Sequence, residues 1–292
     1  MFKNKIKNAI SILDIGAMLE GKPRYYNLLD EKNIQLIGFE PNESERDRFL
    51  IHYQNNQNTT CLPYALGDGK RKTLYLTRYP GCSSLFEPDK KTIDLFNSIG
   101  ASKGGNFEII EKKEIQTRRL DDVLKTQAHY IKLDIQGAEL MVLKHAKNTL
   151  KSTLIIETEA EFMPIYKNQP LFGDLQVYLK NQGFVLHKLI DVGGRCFRPF
   201  NLNQNPFASM SQLLWADAIF VKDFTKLEHY SDEELLILAL ILDRVYYSYD
   251  LVFYLLNEYD KRNKTAFTQN YQINALNKDT LPLLYMNTKD FI

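Results

Sequence analysis

Acidic residues that follow short apolar runs are the side chains of this sequence best placed to do chemistry. Asp14, Glu40, Asp68 and Asp134 each stand at or just after the end of a predicted strand. In an open α/β sheet ligands bind at that edge, and an acid after the second strand can accept hydrogen bonds from ribose hydroxyls. Asp68 could likewise accept from the exocyclic amine of a purine, or could serve only its own Gly-Asp-Gly turn. The acids therefore favour a nucleoside ligand.

The glycines near the first strand narrow the choice of nucleoside. Gly16 follows Asp14 at a predicted strand-to-helix turn, where glycine lets a ligand approach the main chain closely, although a purely structural turn is an equal alternative. The phosphate-binding patterns GxxxxGK[ST] and GxGxxG are both missing from the sequence. A nucleoside without phosphates but with a positive centre suits such an acid-rich site, and S-adenosylmethionine is a ligand of this kind.

Strand–turn–helix units must position these acids. The stretch 130–133 is a short apolar run that leads into Asp134 and Gly137. After it, apolar residues recur at steps of three and four, which indicates a helix; they are Leu140, Leu143, Ala146 and Leu150. Residues 11–21 form a second unit of the same kind, so the sequence predicts a parallel, doubly wound α/β sheet.

Composition excludes several classes of protein. The 292 residues carry a net charge of +1, with 44% hydrophobic and 25% charged residues, which indicates a globular chain that does not bind nucleic acid by bulk charge. Cys61, Cys82 and Cys196 are far apart, which predicts a reducing compartment and no cysteine-based metal site. The longest apolar run, 235–242, is too short to span a bilayer. We therefore expect a cytoplasmic protein without a membrane span.

The pattern of the sequence changes near residue 225, where strand-like runs give way to helical ones. Residues 231–234 form a capping-box pattern that opens a helical, strongly apolar stretch. We interpret 1–224 as the ligand-binding domain and 225–292 as a C-terminal α-helical appendage. Its aromatic residues predict a surface that packs on the domain, joins two copies into a homodimer or docks a partner; they are Tyr246, Tyr247, Tyr249, Phe253 and Tyr254.

Taken together, the motifs resemble the FkbM family of S-adenosylmethionine-dependent methyltransferases, which have the class I Rossmann-like fold. The matching stretches lie within residues 11–222 and are LDIGA, GFEPN, YALGD, GCSSL, RRLDDVL, YIKLDIQGAELMVLKHA, LIIETEAEFMPIY and WADAIFV. One departure is that Met18-Leu-Glu precedes Gly21, where the family has a closer glycine pair. The resemblance implies a seven-stranded sheet of order 3-2-1-4-5-7-6, with strand 7 antiparallel.

The resemblance also implies roles for single residues. It places Asp14, Gly16 and Ala17 along the methionine part of the cofactor, and Glu40 with Asn42 at the ribose. Ala65, Leu66 and Asp68 would flank the adenine, and Asp134 would lie near the sulfonium. Acceptor contacts are expected from five further residues, namely Ser83, Ser84, Glu159, Arg195 and Arg198.

The reaction implied by the resemblance is O-methylation of a sugar, glycan or related metabolite. Asp134 is the first candidate for the base that takes the hydroxyl proton and Glu157 the second, although Asp134 could instead only order the turn and the cofactor. The two acids could also hold a divalent ion, but we predict no metal site. Two arginines, Arg195 and Arg198, would suit an anionic acceptor, or could lie in a solvated loop.

Other functions remain open at this point. An RNA or protein methyltransferase is the nearest alternative, but the sequence lacks a basic stripe and an NPPY-like tetrapeptide. A catalytically silent cofactor-binding scaffold, or a docking protein of a glycan pathway, is an alternative of another class. A nucleotide-dependent oxidoreductase is disfavoured by the missing GxGxxG.

Overall fold

A computed structural model describes residues 2–276 of the chain and divides them into two compact units. The larger unit comprises residues 10–20 and 35–224, and the smaller one comprises 2–9, 21–34 and the described residues from 225 onward. The boundary between 224 and 225 that we inferred from the sequence stays a prediction.

A seven-stranded sheet forms the centre of the larger unit. Its strands in chain order are β1 (Ile10–Ile15), β2 (Ile34–Phe39), β3 (Thr59–Leu62), β6 (Tyr130–Leu133), β7 (Ile155–Glu161), β8 (Phe184–Gly194) and β9 (Leu213–Lys222). The remaining two strands, β4 (Arg71–Thr77) and β5 (Ile109–Gln116), pair separately as an antiparallel ribbon.

The order of strands across the sheet is β3-β2-β1-β6-β7-β9-β8, and β9 runs antiparallel to both of its neighbours. Numbered within this sheet alone, that is the order 3-2-1-4-5-7-6, so the fold inferred from the resemblance is confirmed. The carboxyl ends of the parallel strands meet at one edge. The start of β9 and the end of β8 lie at the same edge, because Glu161 pairs with Trp215 and Trp215 with Gly193.

Each sheet face carries a different kind of side chain. One face packs a continuous apolar core against neighbouring helices; it includes Leu13, Leu133, Ile156, Leu140, Val142 and Leu175. On the opposite face, alternation of side chains along the strands places Asp14, Lys132 and Glu157 in one row, since Asp14 pairs with Lys132 and Lys132 with Glu157. A row of charges inside a buried sheet must be paired to be tolerated.

The helices of the larger unit are short. They are α1 (Glu43–His52), α2 (Lys90–Ile93), α3 (Leu120–Val123), α4 (Glu139–Lys144), α5 (Thr149–Ser152) and α6 (Phe172–Asn181). Asn42 caps α1, accepting from the backbone N–H of Ser44 at 3.0 Å. The single helix that we predicted after Gly137 is two helices, because Asp121 accepts from the backbone N–H groups of Asn148 and Thr149 and so starts α5 anew.

The smaller unit is helical. Its helices are α7 (Asp232–Ile241), α8 (Tyr249–Asn263) and α9 (Phe267–Leu276), and a π-helical turn at Leu242–Tyr246 follows α7. The predicted capping box is present: Ser231 Oγ accepts from the N–H of Glu234, and Glu234 Oε2 accepts from the N–H of Ser231. The last part of the predicted appendage, 277–292, lies outside the described residues.

Burial in the smaller unit differs among the aromatic residues that we singled out. Tyr246 is buried, whereas Tyr247 and Tyr254 are exposed. Association through this aromatic surface stays a prediction. Among the described helices, none combines the length and the apolar character needed to cross a lipid bilayer.

Candidate functional site

The ends of β1 and β2 are tied together at the edge where the predicted cofactor residues lie. The backbone N–H groups of Gly16 and Ala17 both donate to the carbonyl of Phe39, at 3.1 and 3.2 Å. Gly16 has a φ of +82°, and a Cβ added there would lie 2.0 Å from the main-chain oxygen of Asp134. Only glycine fits this turn, which brings the loops after β1, β2 and β6 together.

Glu40 follows Phe39 at the same edge. Its side chain is only 8% exposed, and its Oε1 accepts from the backbone N–H of Asn42 at 2.7 Å. Burial raises the pKa of Glu40 to about 7, although the hydrogen bond from Asn42 acts in the opposite direction. A buried carboxylate beside the end of β1 is suited to accept a pair of hydroxyl groups.

Lys132 lies below this edge, in the charged row, and the sequence analysis missed it. Its Nζ is 3.3 Å from Asp14 Oδ1, while Glu157 accepts from the hydroxyl of Tyr130 at 2.7 Å. Burial lowers the pKa of Lys132, but the charges of Asp14, Asp134 and Glu157 outweigh it and the net shift is upward. A lysine within an otherwise apolar strand, two residues before a strand-end acid, is the sequence signal that could have revealed the row.

The structure connects Asp134 to Glu159 through a residue that we had not predicted. Gln136 Nε2 donates to Asp134 Oδ1 at 3.0 Å and to Glu159 Oε2 at 2.6 Å. Gln136 Oε1 accepts from the hydroxyl of Tyr166 at 2.8 Å. Gln136 has a φ of 58°, an uncommon conformation for a residue with a Cβ.

Further acids surround this connection. Burial raises the pKa of Glu139 to about 7, and the charge of Asp134 adds to that shift. Burial also raises the pKa of Glu159 and Glu161 well above the usual range, again with contributions from neighbouring carboxylates. Glu161 is 4% exposed, and its Oε2 is buried without a hydrogen-bond partner. Within the part of the chain that the structure describes, no cluster of three or more His, Cys, Asp or Glu side chains is arranged to hold a metal ion.

The segment around GCSSL contacts the loops that follow β1 and β6. The hydroxyl of Tyr79 donates to Glu20 Oε1 at 2.9 Å, and this bond, together with burial, raises the pKa of Tyr79 to about 12. Ser83 Oγ accepts from the backbone N–H of Thr77, and Ser84 Oγ donates to the main-chain oxygen of Gln136. The two serines predicted to touch the acceptor thus anchor the segment that lies beside Asp134.

The predicted adenine residues lie beyond β3. Leu66 is buried and bridges Arg118, and Ala65 accepts from the backbone N–H of Arg118. Asp68 is six residues past the end of β3, where its Oδ2 is 3.0 Å from Lys72 Nζ and its Oδ1 accepts from the N–H of Lys70. Burial raises the pKa of Asp68, but the contacts with Lys72 and Lys70 together outweigh it, so the net shift is downward. Asp68 therefore serves its turn in the structure.

The two arginines predicted to bind the acceptor make contacts within the protein. Arg195 lies over the ring of Trp215, 4.9 Å from its centroid, and over Phe207. Arg198 donates to the main-chain oxygen of Ile99 at 2.5 Å. The structure thus brings Gly16, Glu40, Asp134 and Glu159 to one edge of the sheet. Arg195 and Arg198 instead make contacts that hold the segment between β8 and β9.

Comparison with known proteins agrees with this architecture. The family described as the methyltransferase FkbM domain matches residues 14–186. No curated protein matches the chain.

Among solved structures, the FkbM methyltransferase of Methylobacillus flagellatus KT is similar at 15% identity and a TM-score of 0.41, covering 73% of this chain and 43% of that one. The precorrin-6y C5,15-methyltransferase of Geobacter metallireducens GS-15 has 10% identity and a TM-score of 0.34, covering 75% and 84%. The N-terminal domain of EvdMO1, solved in the presence of SAH and D-fucose, has 10% identity and a TM-score of 0.35, covering 76% and 79%. The chain thus spans less than half of the first of these proteins.

Proposed function

Since the chain belongs to the FkbM family of methyltransferases, we propose that it transfers a methyl group from S-adenosylmethionine to a hydroxyl group of a sugar, a glycan or a related small metabolite. The observation that carries the proposal is the meeting of Gly16, Glu40 and Asp134 at one sheet edge. At this edge Gly16 supplies a turn without a side chain, Glu40 supplies a buried acceptor for hydroxyl groups, and Asp134 supplies a second carboxylate.

The residues at this edge fit the cofactor. Gly16 lets the main-chain oxygen of Asp134 lie where a Cβ would be, and so holds the loops after β1 and β6 together at the proposed site. Glu40 would accept from the ribose hydroxyls, with its carboxylate held by the N–H of Asn42. Asp14 and Ala17 would line the methionine part, and Ala65 with Leu66 would flank the adenine. Because Asp68 is already paired with Lys72, we assign it to the turn and not to the adenine amine.

When bound, S-adenosylmethionine supplies an electrophilic methyl group on a positively charged sulfur. Asp134 would orient the acceptor hydroxyl and take its proton as the oxygen–carbon bond forms and the carbon–sulfur bond breaks. Glu157, which accepts from Tyr130 in the buried row, is better placed to balance Lys132 than to contact an acceptor. We therefore retain Asp134 alone as the candidate base.

The charge of the surrounding groups favours a neutral hydroxyl-bearing acceptor. Burial raises the pKa of the Cys82 thiol, and the charges of Glu159, Glu20 and Asp134 raise it further. Carboxylates accept from hydroxyl donors and repel phosphates and carboxylates. An anionic acceptor held by Arg195 and Arg198 is the second candidate, and it would require both arginines to give up their present contacts.

Replacement of Glu40 tests the cofactor site. We expect Glu40→Gln to weaken the binding of both S-adenosylmethionine and S-adenosylhomocysteine by about 50-fold, because an amide cannot accept from two hydroxyls as a carboxylate does. Isothermal titration calorimetry of the purified chain measures both affinities. Glu43→Gln, an exposed acid in the first turn of α1, is the matched control and should bind as the native protein does.

The outcome separates the enzyme from its alternatives. Failure of the native chain to bind either compound would refute the proposed function and favour the silent scaffold. Binding that Glu40→Gln leaves unchanged would place the ribose elsewhere. If binding behaves as expected, a screen of nucleotide sugars and free monosaccharides, read out as formation of S-adenosylhomocysteine, identifies the acceptor class.

The same substitution should make the protein without ligand more stable. The pKa of Glu40 is raised to about 7 in the folded state, so its ionisation opposes folding above that pH, and the free energy of unfolding falls as pH rises from about 4.5 to 7. We expect Glu40→Gln to increase the free energy of unfolding at pH 8 by up to roughly 3 kcal/mol, and to change it little at pH 4.5. Urea denaturation at the two pH values measures this, and equal effects at both would contradict it.

A further inference from the structure

Glu20 lies in the irregular loop that follows β1, where the sequence departs from the family pattern. Its side chain is exposed, yet its Oε1 accepts from the hydroxyl of Tyr79 at 2.9 Å. The two residues are 59 positions apart, so this bond joins the loop after β1 to the segment after β4. Gly16 and Ala17 hold the start of the loop, because their N–H groups donate to Phe39. The bond from Tyr79 holds its other end.

Tyr79 is fixed by contacts that do not involve Glu20. Its backbone N–H donates to the main-chain oxygen of Asn106 at 3.1 Å. Its own main-chain oxygen accepts from Thr77 Oγ1 at 2.7 Å and from the N–H of Cys82 at 2.9 Å. The bond between the two side chains therefore constrains the loop of Glu20 more than it constrains Tyr79, as expected when a fixed group orients a less regular one.

Gly81 makes the close approach of Glu20 possible. A Cβ added at Gly81 would lie 2.2 Å from Glu20 Oε1 and 2.8 Å from Cε1 of the Tyr79 ring. The carboxylate thus lies against bare main chain, in a space that any larger residue would fill. The contact combines a hydroxyl donor, a carboxylate acceptor and a glycine that admits the carboxylate.

We propose that Glu20 is a positioning residue that fixes the loop after β1 in the shape that receives the methionine part of S-adenosylmethionine. The inference rests on the proposed function, in which the start of this loop lines that part of the cofactor. A loop that is already ordered loses less conformational entropy when a ligand binds, so the bond to Tyr79 should raise the affinity. The adenosine part is assigned to Glu40, Ala65 and Leu66, so its binding should not depend on Glu20.

Ligands with and without the methionine part separate this role from a general loss of structure. Glu20→Met, which keeps the length of the side chain but removes the acceptor, should weaken the binding of both S-adenosylmethionine and S-adenosylhomocysteine by about tenfold. 5′-Methylthioadenosine lacks the amino-acid part, and its affinity should be unchanged. Titration calorimetry on the full chain measures all three. An equal loss for all three compounds, or no loss for any, would overturn the inference.

Variants of the partner residues test the bond itself. Tyr79→Phe removes only the hydroxyl and should reproduce the effect of Glu20→Met. Gly81→Ala should do the same, because it displaces the carboxylate without altering either partner. Glu20→Gln keeps an oxygen that can accept from Tyr79, so it should lose only about threefold.

A control and a double variant complete the set. Tyr75→Phe is the matched control, because the ring of Tyr75 in β4 faces Lys112 Nζ, 5.2 Å from its centroid; it should bind all three compounds as the native chain does. Adding Glu20→Met to Tyr79→Phe should weaken binding no further, since the bond is already lost. Losses that simply add would mean that the two side chains act separately and would contradict the role given to Glu20.

Hydrogen exchange examines the loop without any ligand. The amide protons of residues 18–20 should exchange about tenfold faster in Tyr79→Phe than in the native chain, while those of β1 should not change. Unchanged exchange of the loop would overturn the role of Glu20 whatever the binding result. If the native chain binds neither S-adenosylmethionine nor S-adenosylhomocysteine, the proposed function fails, even where exchange shows that Tyr79 orders the loop.

Discussion

Gly16→Ala should abolish cofactor binding and lower the free energy of unfolding by more than about 3 kcal/mol. Losses of that size are expected when a substitution combines backbone strain with steric overlap. The added Cβ would lie 2.0 Å from the main-chain oxygen of Asp134, and Gly16 has a φ of +82° that L-residues avoid. The oxygen belongs to backbone at the end of β6, where the N–H of Asp134 donates to Ile15. Relief of the overlap must therefore separate β1 from β6. Thermal unfolding and titration calorimetry measure the two effects.

Two glycines of the same unit provide controls for this substitution. Gly104 has a φ of +89° but open space where its Cβ would be, so Gly104→Ala isolates the backbone strain at about 1 kcal/mol. Gly173 lies in α6 with open space and no positive φ, so Gly173→Ala should be neutral or slightly stabilising. If Gly16→Ala behaves like either control and still binds the cofactor, the close approach of the two loops does not limit the site.

Lys132→Met should cost about 3–5 kcal/mol, the usual penalty for removing one partner of a buried ion pair. Lys132 is the cation between Asp14 and Glu157 in the row on the sheet. Its loss leaves the carboxylates of Asp14 and Glu157 buried without the cation that lies between them. Urea denaturation measures the size of the effect.

A double-mutant cycle tests whether the charge row is responsible. In an Asp14→Asn background, Lys132→Met should cost clearly less than in the native chain, because one of the stranded charges is already gone. Lys144→Met, at an exposed position at the end of α4, is the control and should change the free energy of unfolding by less than about 0.5 kcal/mol. Equal costs for the two lysines would mean that the row contributes little.

The sequence was most informative where local patterns and the chain order decide the result. Apolar runs that end in acids located the strands, and the resemblance supplied their order, including the antiparallel last strand. Caps were also predictable, since Asn42 and Ser231 act on backbone groups only two or three residues away. These features depend on neighbours in the chain, which a single sequence displays directly.

Contacts between distant segments set the limits of that prediction. Asp121 starts α5 from 27 residues away, and Gln136 is held by Ser84 from 52 residues away. Asp68 was assigned to the adenine; its oxygens contact Lys72 and Lys70, and its role at the cofactor stays a prediction. No local pattern could show that Arg195 would lie over Trp215; its charge suggested an anionic acceptor, and that role stays a prediction.

The reversed direction of β9 has a consequence for how such a protein can diversify. Because β9 runs opposite to β7 and β8, residues 195–212 leave and re-enter the sheet at the edge where the carboxyl ends of β1, β2 and β6 meet. Within this segment the N–H of Cys196 donates to the main-chain oxygen of Ala208. The N–H of Arg198 donates to the main-chain oxygen of Leu95, which lies in the loop after α2. We expect that replacing this segment by its counterpart from a relative would change the choice of acceptor and leave the affinity for the cofactor unchanged.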